Sequence, residues 1–285
     1  MSNSVEREIN IGGTMETALN GQYQLHPSKV IKEAWQLTIR HFMSFSPAIL
    51  ILIALQLLIF YVALQLQIGD PMQLLDAILD PEKFDPSIFQ AVFVANFSYE
   101  VVSAPFFAGV SLMAMSHAAG LSTKTRHLSK GLQYTLPIII ATLVSLTAQG
   151  IIGNFLPFIS MYLSVAFSNY VLLICERKVP PLQSLWVSIR AVNKKLFPLI
   201  LIYLLLMILF VIAAMAYGIG LILIVPMFFH AKGIIYREMF GIRIKIMTNV
   251  INEENDNSDT KPEIENYADK NTDGHVKPGS NTFDA

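Results

Sequence analysis

Six stretches of the chain are apolar for about as long as a helix needs to cross a bilayer: Phe42–Leu66, Val101–Ala119, Leu132–Ile152, Phe155–Cys175, Leu196–Tyr217 and Ile219–Tyr236. A hydrocarbon core of about 30 Å takes roughly 20 helical residues. The runs are far longer than the alternating segments of about ten residues that build a membrane β-barrel. A backbone that satisfies its own amides is the alternative in lipid. The pattern therefore predicts an all-α membrane protein, a six-transmembrane helical bundle.

The polar stretches between the runs predict how these spans pair. Gly153-Asn154 separates the third run from the fourth, and Tyr217-Gly218 separates the fifth from the sixth. Connections this short force antiparallel neighbours, so three hairpins are expected. The loop from Gln67 to Glu100 is longer and acidic, with Asp70, Asp76, Asp80, Glu82 and Asp85. Within it Met72, Leu75, Ile78 and Leu79 recur at helical spacing, which predicts a short surface helix. Ile88–Tyr99 either extends the second span or packs over the top of the bundle. Two segments before spans, Lys29–Phe42 and Leu182–Leu196, are amphipathic. They read as interfacial helices lying in the headgroup layer, with Trp35 and Trp186 as interfacial anchors.

A weak repeat runs through this layout. Each Trp stands twelve residues before a proline near the start of a span, Pro47 and Pro198, and each is followed by an Ile-Arg pair. The middle unit has Pro137 and no Trp. Three units, each an interfacial helix followed by a hairpin, are one reading. Chance similarity between apolar helices is the other.

Charge sets the orientation and the domain limits. Fifteen Lys and Arg residues flank one set of span ends, from Lys29 to Lys245, against Lys83 alone on the other. The positive-inside rule places both termini in the cytoplasm. Residues 252–285 hold nine acids against three lysines, whereas residues 1–251 hold 17 Lys and Arg against 12 acids. The expected organisation is a flexible cytoplasmic N-terminus (1–27), a transmembrane domain (28–251) and a disordered acidic tail (252–285). With 53% hydrophobic and 14% charged residues, a soluble enzyme or nucleic-acid binder is excluded. No cleavable signal is read at the N-terminus. The lone Cys175 cannot form an internal disulfide.

Polar groups inside the runs are the candidates for chemistry. Glu100 either marks the outer end of the second span or is an intramembrane carboxylate acting on protons or cations. His230 and Lys232 line a polar cavity or hold an anionic headgroup in one reading. In the other, Lys232 snorkels inward beside Arg237 and His230 bonds a neighbouring helix. Asn169, with Ser164 and Ser168 near it, is an interhelical hydrogen-bonding group or part of a substrate site. Prolines 105, 137, 157 and 226 either break helices to expose carbonyls or are simply tolerated. Gly109, Gly120, Gly150 and Gly153 are expected at close helix contacts. No hydrolase, metal-ligand or phosphate-loop motif is present, so no catalytic residues, metal ligands or cofactors are assigned.

The acidic segment Leu74–Pro86, the small-residue-rich span Ala104–Gly120, the basic loop to Gly131 and the stretch Pro181–Pro198 (PLQSLWVSIRAVNKKLFP) together resemble the YciC-like group of uncharacterised bacterial inner-membrane proteins. The resemblance covers the organisation of residues 28–245. It implies the bacterial inner membrane and no activity. The expected role is non-enzymatic, in envelope organisation or stress adaptation. A small-molecule or ion permease or channel and a lipid-acting membrane enzyme are the alternatives. The expected partners are the lipid bilayer and a second copy or other membrane proteins, without nucleic acid.

Overall fold

The computed structural model describes residues 4–79 and 86–249. The expectations for Asp80, Glu82, Lys83, Asp85 and the acidic tail 252–285 concern residues outside these. Strand β1 (Ser4–Ile11) pairs with β2 (Ile242–Asn249) in a two-stranded sheet. Residues 10–242 form the helical unit.

Five segments of that unit are long and apolar enough to cross a membrane: Phe42–Ile68, Ser87–Ala118, Thr125–Phe155, Pro157–Arg177 and Leu196–Met215. The protein is thus an all-α membrane protein that meets lipid with several apolar helices. The helices are α1 (Met15–Asn20), α2 (Pro27–Arg40), α3 (Phe42–Ile68), α4 (Met72–Leu79), α5 (Pro86–Ala118), α6 (Thr135–Phe155), α7 (Pro157–Ala166), α8 (Tyr170–Arg177), α9 (Pro181–Lys194), α10 (Leu196–Met215) and α11 (Leu221–Phe240). A 3-10 helix, Thr125–Tyr134, leads into α6. The sixth apolar run corresponds to α11, whose twenty residues include Lys232, Arg237 and Glu238 and which is not among the five.

The centre of the unit is α5. It packs on α3, α6, α8, α11 and the 3-10 helix. Its apolar window is 78% buried, against 17% for α3 and 22% for α10. At 33 residues it spans about 50 Å. The Ile88–Tyr99 stretch is thus the first half of a single helix. Its outer turns bury Ala91 and Ala95 against Leu64 of α3. Nearer the opposite end, Phe45, Ile49 and Leu52 of α3 pack on Val110 and Met113 of α5 and on Phe229 of α11.

Two backbone approaches fix α5 against its neighbours. A Cβ at Gly109 would collide with the Leu128 carbonyl oxygen, and one at Gly131 with the Pro105 oxygen and the Gly109 nitrogen. A Cβ at Gly233 would lie 2.8 Å from the Ala114 oxygen, so α11 also sits against bare α5 backbone. Of the four glycines expected at close contacts, Gly120 and Gly150 meet nothing within 4 Å. Gly120 instead ends α5 in a left-handed turn at φ 80°.

The fourth apolar run is two helices. It breaks between Ala166 and Tyr170, where the Ser188 hydroxyl of α9 donates to the Ala166 carbonyl at 2.6 Å and accepts from the Asn169 amide at 3.3 Å. The face of α9 turned to the protein is accordingly small and polar, Ser184, Ser188 and Ala191 with Leu185 and Val192. Trp186 and Leu182 project outward, as does Trp35 on α2.

The Thr14 capping box starts α1, Ala18 is buried, and the Tyr23 hydroxyl donates to the Ala191 carbonyl at 2.7 Å. Burying Tyr23, Leu25 and Ala18 against the bundle offsets the entropy of ordering this stretch.

Candidate functional site

Two polar features lie inside the helical unit, one near mid-length and one at the end that carries the basic residues. The first is a cavity of about 240 Å³ lined by Gln56 of α3, by Tyr99, Glu100, Ser103, Ala104 and Phe107 of α5, by Thr142 of α6 and by Tyr170 and Val171 of α8. Gln56 lies next to the midpoint of α3 and donates to the Ser103 hydroxyl at 3.2 Å. Glu100 stands fifteenth in the 33-residue α5, one turn from Ser103 and next to Tyr99, whose ring meets that of Phe60 of α3. Asn96 donates to its carboxylate at 3.3 Å. The Thr142 and Tyr170 hydroxyls share a hydrogen bond of 2.9 Å on the opposite wall. Tyr170 is the first residue of α8, so the break in the fourth run delivers a phenol to the cavity.

The second feature is a buried chain of side chains joining three helices. The Thr38 hydroxyl of α2 lies 3.0 Å from Nδ1 of His230, Nε2 of His230 lies 2.9 Å from Nδ1 of His117, and Nε2 of His117 lies 2.8 Å from the Thr123 hydroxyl. The His41 ring stacks on that of His117 with centroids 4.0 Å apart, and Phe45 meets both His117 and His230. At His41, just before α3, burial and the neighbouring Arg40 cation both push the pKa below the usual imidazole value. The ring nitrogens of His117 and His230 are spent on one another and on hydroxyls. They do not converge on a point where a metal would sit, and among the described residues no group of three His, Cys, Asp or Glu does so.

The four residues singled out from the sequence do not meet in one place. Glu100 lines the cavity and His230 belongs to the histidine chain. Asn169 caps α8 beneath α9, with its amide nitrogen 3.8 Å from the Met239 sulfur. One reading of Lys232 had it snorkel inward beside Arg237. Its Nζ instead lies 4.7 Å from the ring centre of Phe107 and 5.9 Å from that of Phe228. Helical side chains lean toward the helix N-terminus, and in α11 that direction leads away from Arg237. Sequence reasoning missed His117, His41, Thr38 and Thr123, and also the Gln56, Thr142 and Tyr170 walls of the cavity. The one available signal was the number of polar groups in the second run, the least apolar of the five spans.

A wider concavity of about 390 Å³ lies along α2, lined by Lys29, Lys32, Glu33, Gln36, Leu37 and Arg40. All its walls come from one helix, which makes it a surface groove. Beside it Arg237 forms a paired contact with Glu33 at 2.6 and 3.0 Å, and also donates to the Ala118 carbonyl at 2.7 Å. No protein-family model matches the chain, and no curated protein or solved structure shows significant similarity to it.

Proposed function

We propose that this protein is a membrane carrier for a small cation, of the size of an alkylammonium ion, and that the Glu100 cavity is its binding site. The observation behind this reading is a carboxylate that lines a cavity between apolar helices, near the mid-length of α5. Ionisable groups are expensive there and mark solute or ion paths. The cavity also adjoins an interrupted helix, the device by which carriers build midplane sites. Glu100 supplies the charge, the Tyr99 and Tyr170 hydroxyls and the Gln56 amide supply oxygen ligands, and Phe107 supplies an aromatic face for a cation.

The finer topology belongs to the same proposal. α11 is a sixth span despite its three charges, because His230 and Lys232 face protein rather than lipid and are buried. Six spans with the basic ends in the cytoplasm place both termini inside, in a bacterial inner membrane. The units α2–α5, the 3-10 helix to α8, and α9–α11 are then three repeats. In support, α2 packs on α11, the 3-10 helix on α5, and α9 on α6 and α8, so each leading element lies under the preceding unit and the third returns to the first.

The test is binding and uptake of methylammonium, ethylammonium and potassium by the full chain in nanodiscs and liposomes. At least one should bind wild type, and E100Q should weaken it about tenfold or more, since the buried charge then lacks its partner. If none of the three binds wild type more tightly than E100Q, the reading is overturned. A role in envelope organisation without transport would then stand in its place.

A further inference from the structure

We propose that the coupling ion of this carrier is a proton, and that it is taken up at Nε2 of His117. This deepens the carrier reading and depends on it for the word coupling, but the proton site itself stands on separate geometry.

The argument is a count of hydrogens along the buried chain. The Thr38 hydroxyl donates to the Ala34 carbonyl at 2.8 Å, so its hydrogen is spent. With that bond kept, we take Thr38 to accept from His230 Nδ1–H. That leaves His230 Nε2 as an acceptor for His117 Nδ1–H. His117 Nε2 is in turn the acceptor for the Thr123 hydroxyl. Every bond is satisfied with both imidazoles neutral and both carrying hydrogen on Nδ1.

A proton can join this chain at one place without breaking it. If one from water forms an N–H bond at His117 Nε2, the Thr123 hydroxyl turns from donor to acceptor, and every other bond keeps its sense. At His230 Nδ1 the partner hydroxyl is already committed to Ala34, and at the shared His117–His230 contact there is no vacant lone pair. Thr123 follows the turn at Gly120 and is 7% exposed, so the entry point borders the surface while the rings behind it are fully buried. From the His117 imidazolium the proton has one onward step. The Nδ1–H bond of His117 breaks, an N–H bond forms at His230 Nε2, and His117 is left neutral with hydrogen on Nε2. The charge has then moved from α5 to α11.

The groups facing His117 make its charge consequential. From the corner of α2 and α3 comes the stacked His41, which has the Arg40 cation beside it. From α11 come His230 and, two turns further on, Arg237 held between Glu33 and Glu238, with Lys232 pointing away. From the loop and 3-10 helix come Thr123 and Lys124, whose amide donates to His127. On this proposal a cation on His117 is opposed by the Arg40 charge beside His41, which loosens the α3 end from α5. The same two helices hold Gln56 and Ser103 together at the cavity, which gives the proton a mechanical link to the solute site.

The experiment uses the full chain. In liposomes loaded with a pH-sensitive dye, a methylammonium gradient should drive proton movement in wild type and in T123S. H117Q, H230Q and T123V should slow it about tenfold or more, while H117Q still binds methylammonium. Proton movement at the wild-type rate in H117Q, or equal rates in T123S and T123V, overturns the proposal. Nitrogen-15 spectra of histidine-labelled protein in nanodiscs test the proton site whether or not any amine binds. Two neutral Nδ1–H imidazoles are expected at neutral pH, and an imidazolium that appears on acidification should be missing in H117Q. A neutral His117 with hydrogen on Nε2, or an unchanged imidazolium in H117Q, refutes it. Loss of methylammonium binding with these spectra intact defeats the carrier reading alone.

Discussion

Arg237 offers a test of how the helical unit is tied together at its basic end. Its guanidinium joins three elements: two bonds to Glu33 of α2, one to the Ala118 carbonyl at the end of α5, and bonds of 2.6 and 3.1 Å to its neighbour Glu238 in α11. Removing one partner of a fully buried pair costs about 3–5 kcal/mol. Here the side chains are 13% and 26% exposed, so water can partly recover Glu33 and the Coulomb share is discounted to about 2 kcal/mol. Loss of the donor to Ala118 adds about 1 kcal/mol. R237M, which keeps the aliphatic stem, is therefore expected to lower stability by about 3 kcal/mol. E33Q should cost about 1 kcal/mol, because Glu238 still balances the cation and the amide oxygen still accepts. The double variant should recover about 1–2 kcal/mol of the summed loss. Reversible unfolding in mixed detergent micelles, followed by circular dichroism, measures all three. If R237M costs less than about 0.5 kcal/mol, or the two changes simply add, the cluster behaves as exposed ion pairs do and the argument fails.

Three further outcomes follow from single contacts. G109A and G131A each push a methyl group into opposing backbone and should lower stability by about 1–3 kcal/mol, read as a fall in melting temperature. Burial drives the Tyr23 pKa well above its usual value, so the phenol stays protonated in the folded chain after it has ionised in the unfolded one. Stability should fall as pH rises beyond about 10, and Y23F should flatten that fall while losing about 1 kcal/mol at neutral pH. Lys232 places a cation against Phe107, a wall of the proposed cation cavity. K232M should therefore tighten methylammonium binding, measured by calorimetry, and weaker binding would contradict the placement of the site.

The apolar runs were readable because lipid imposes one rule on every residue of a span, and that rule acts locally. Helices α3, α6 and α10 start and stop within a few residues of the runs that predict them. The short helix α4 shows through its spacing of Met72, Leu75 and Leu79 in the same local way. What was hidden depends on partners far along the chain. His117 and His230 are 113 positions apart, and Thr38 and His230 are 192 apart. No spacing rule relates them. Glu100 carried two readings, boundary or intramembrane carboxylate, because the uninterrupted apolar run begins at Val101. The helix continues to Pro86 because Ala91 and Ala95 are small enough to pack on Leu64. The interruption at Phe167–Asn169 follows from Ser188 satisfying the broken ladder from a different helix. The direction of Lys232 was available from the sequence, since it follows from helix polarity alone.

The least apolar of the five spans is the most buried, and this inversion connects the two polar features. In water the polar helix would face outward, but in lipid α3 and α10 take that position, and α5 carries its polar groups inward. Glu100, Ser103, Phe107 and Ser111 recur three to four residues apart and so share one face of α5. Glu100 and Ser103 open onto the cavity, and His117 lies six residues beyond Ser111 in the histidine chain. Between them the Ser111 hydroxyl is buried without a hydrogen-bond partner among the described residues. Leaving such a group unpaired costs about 1–3 kcal/mol, and alanine would fit the same space. The face of α5 that lines the cavity thus carries one buried polar group, Ser111, that neither the cavity nor the histidine chain uses.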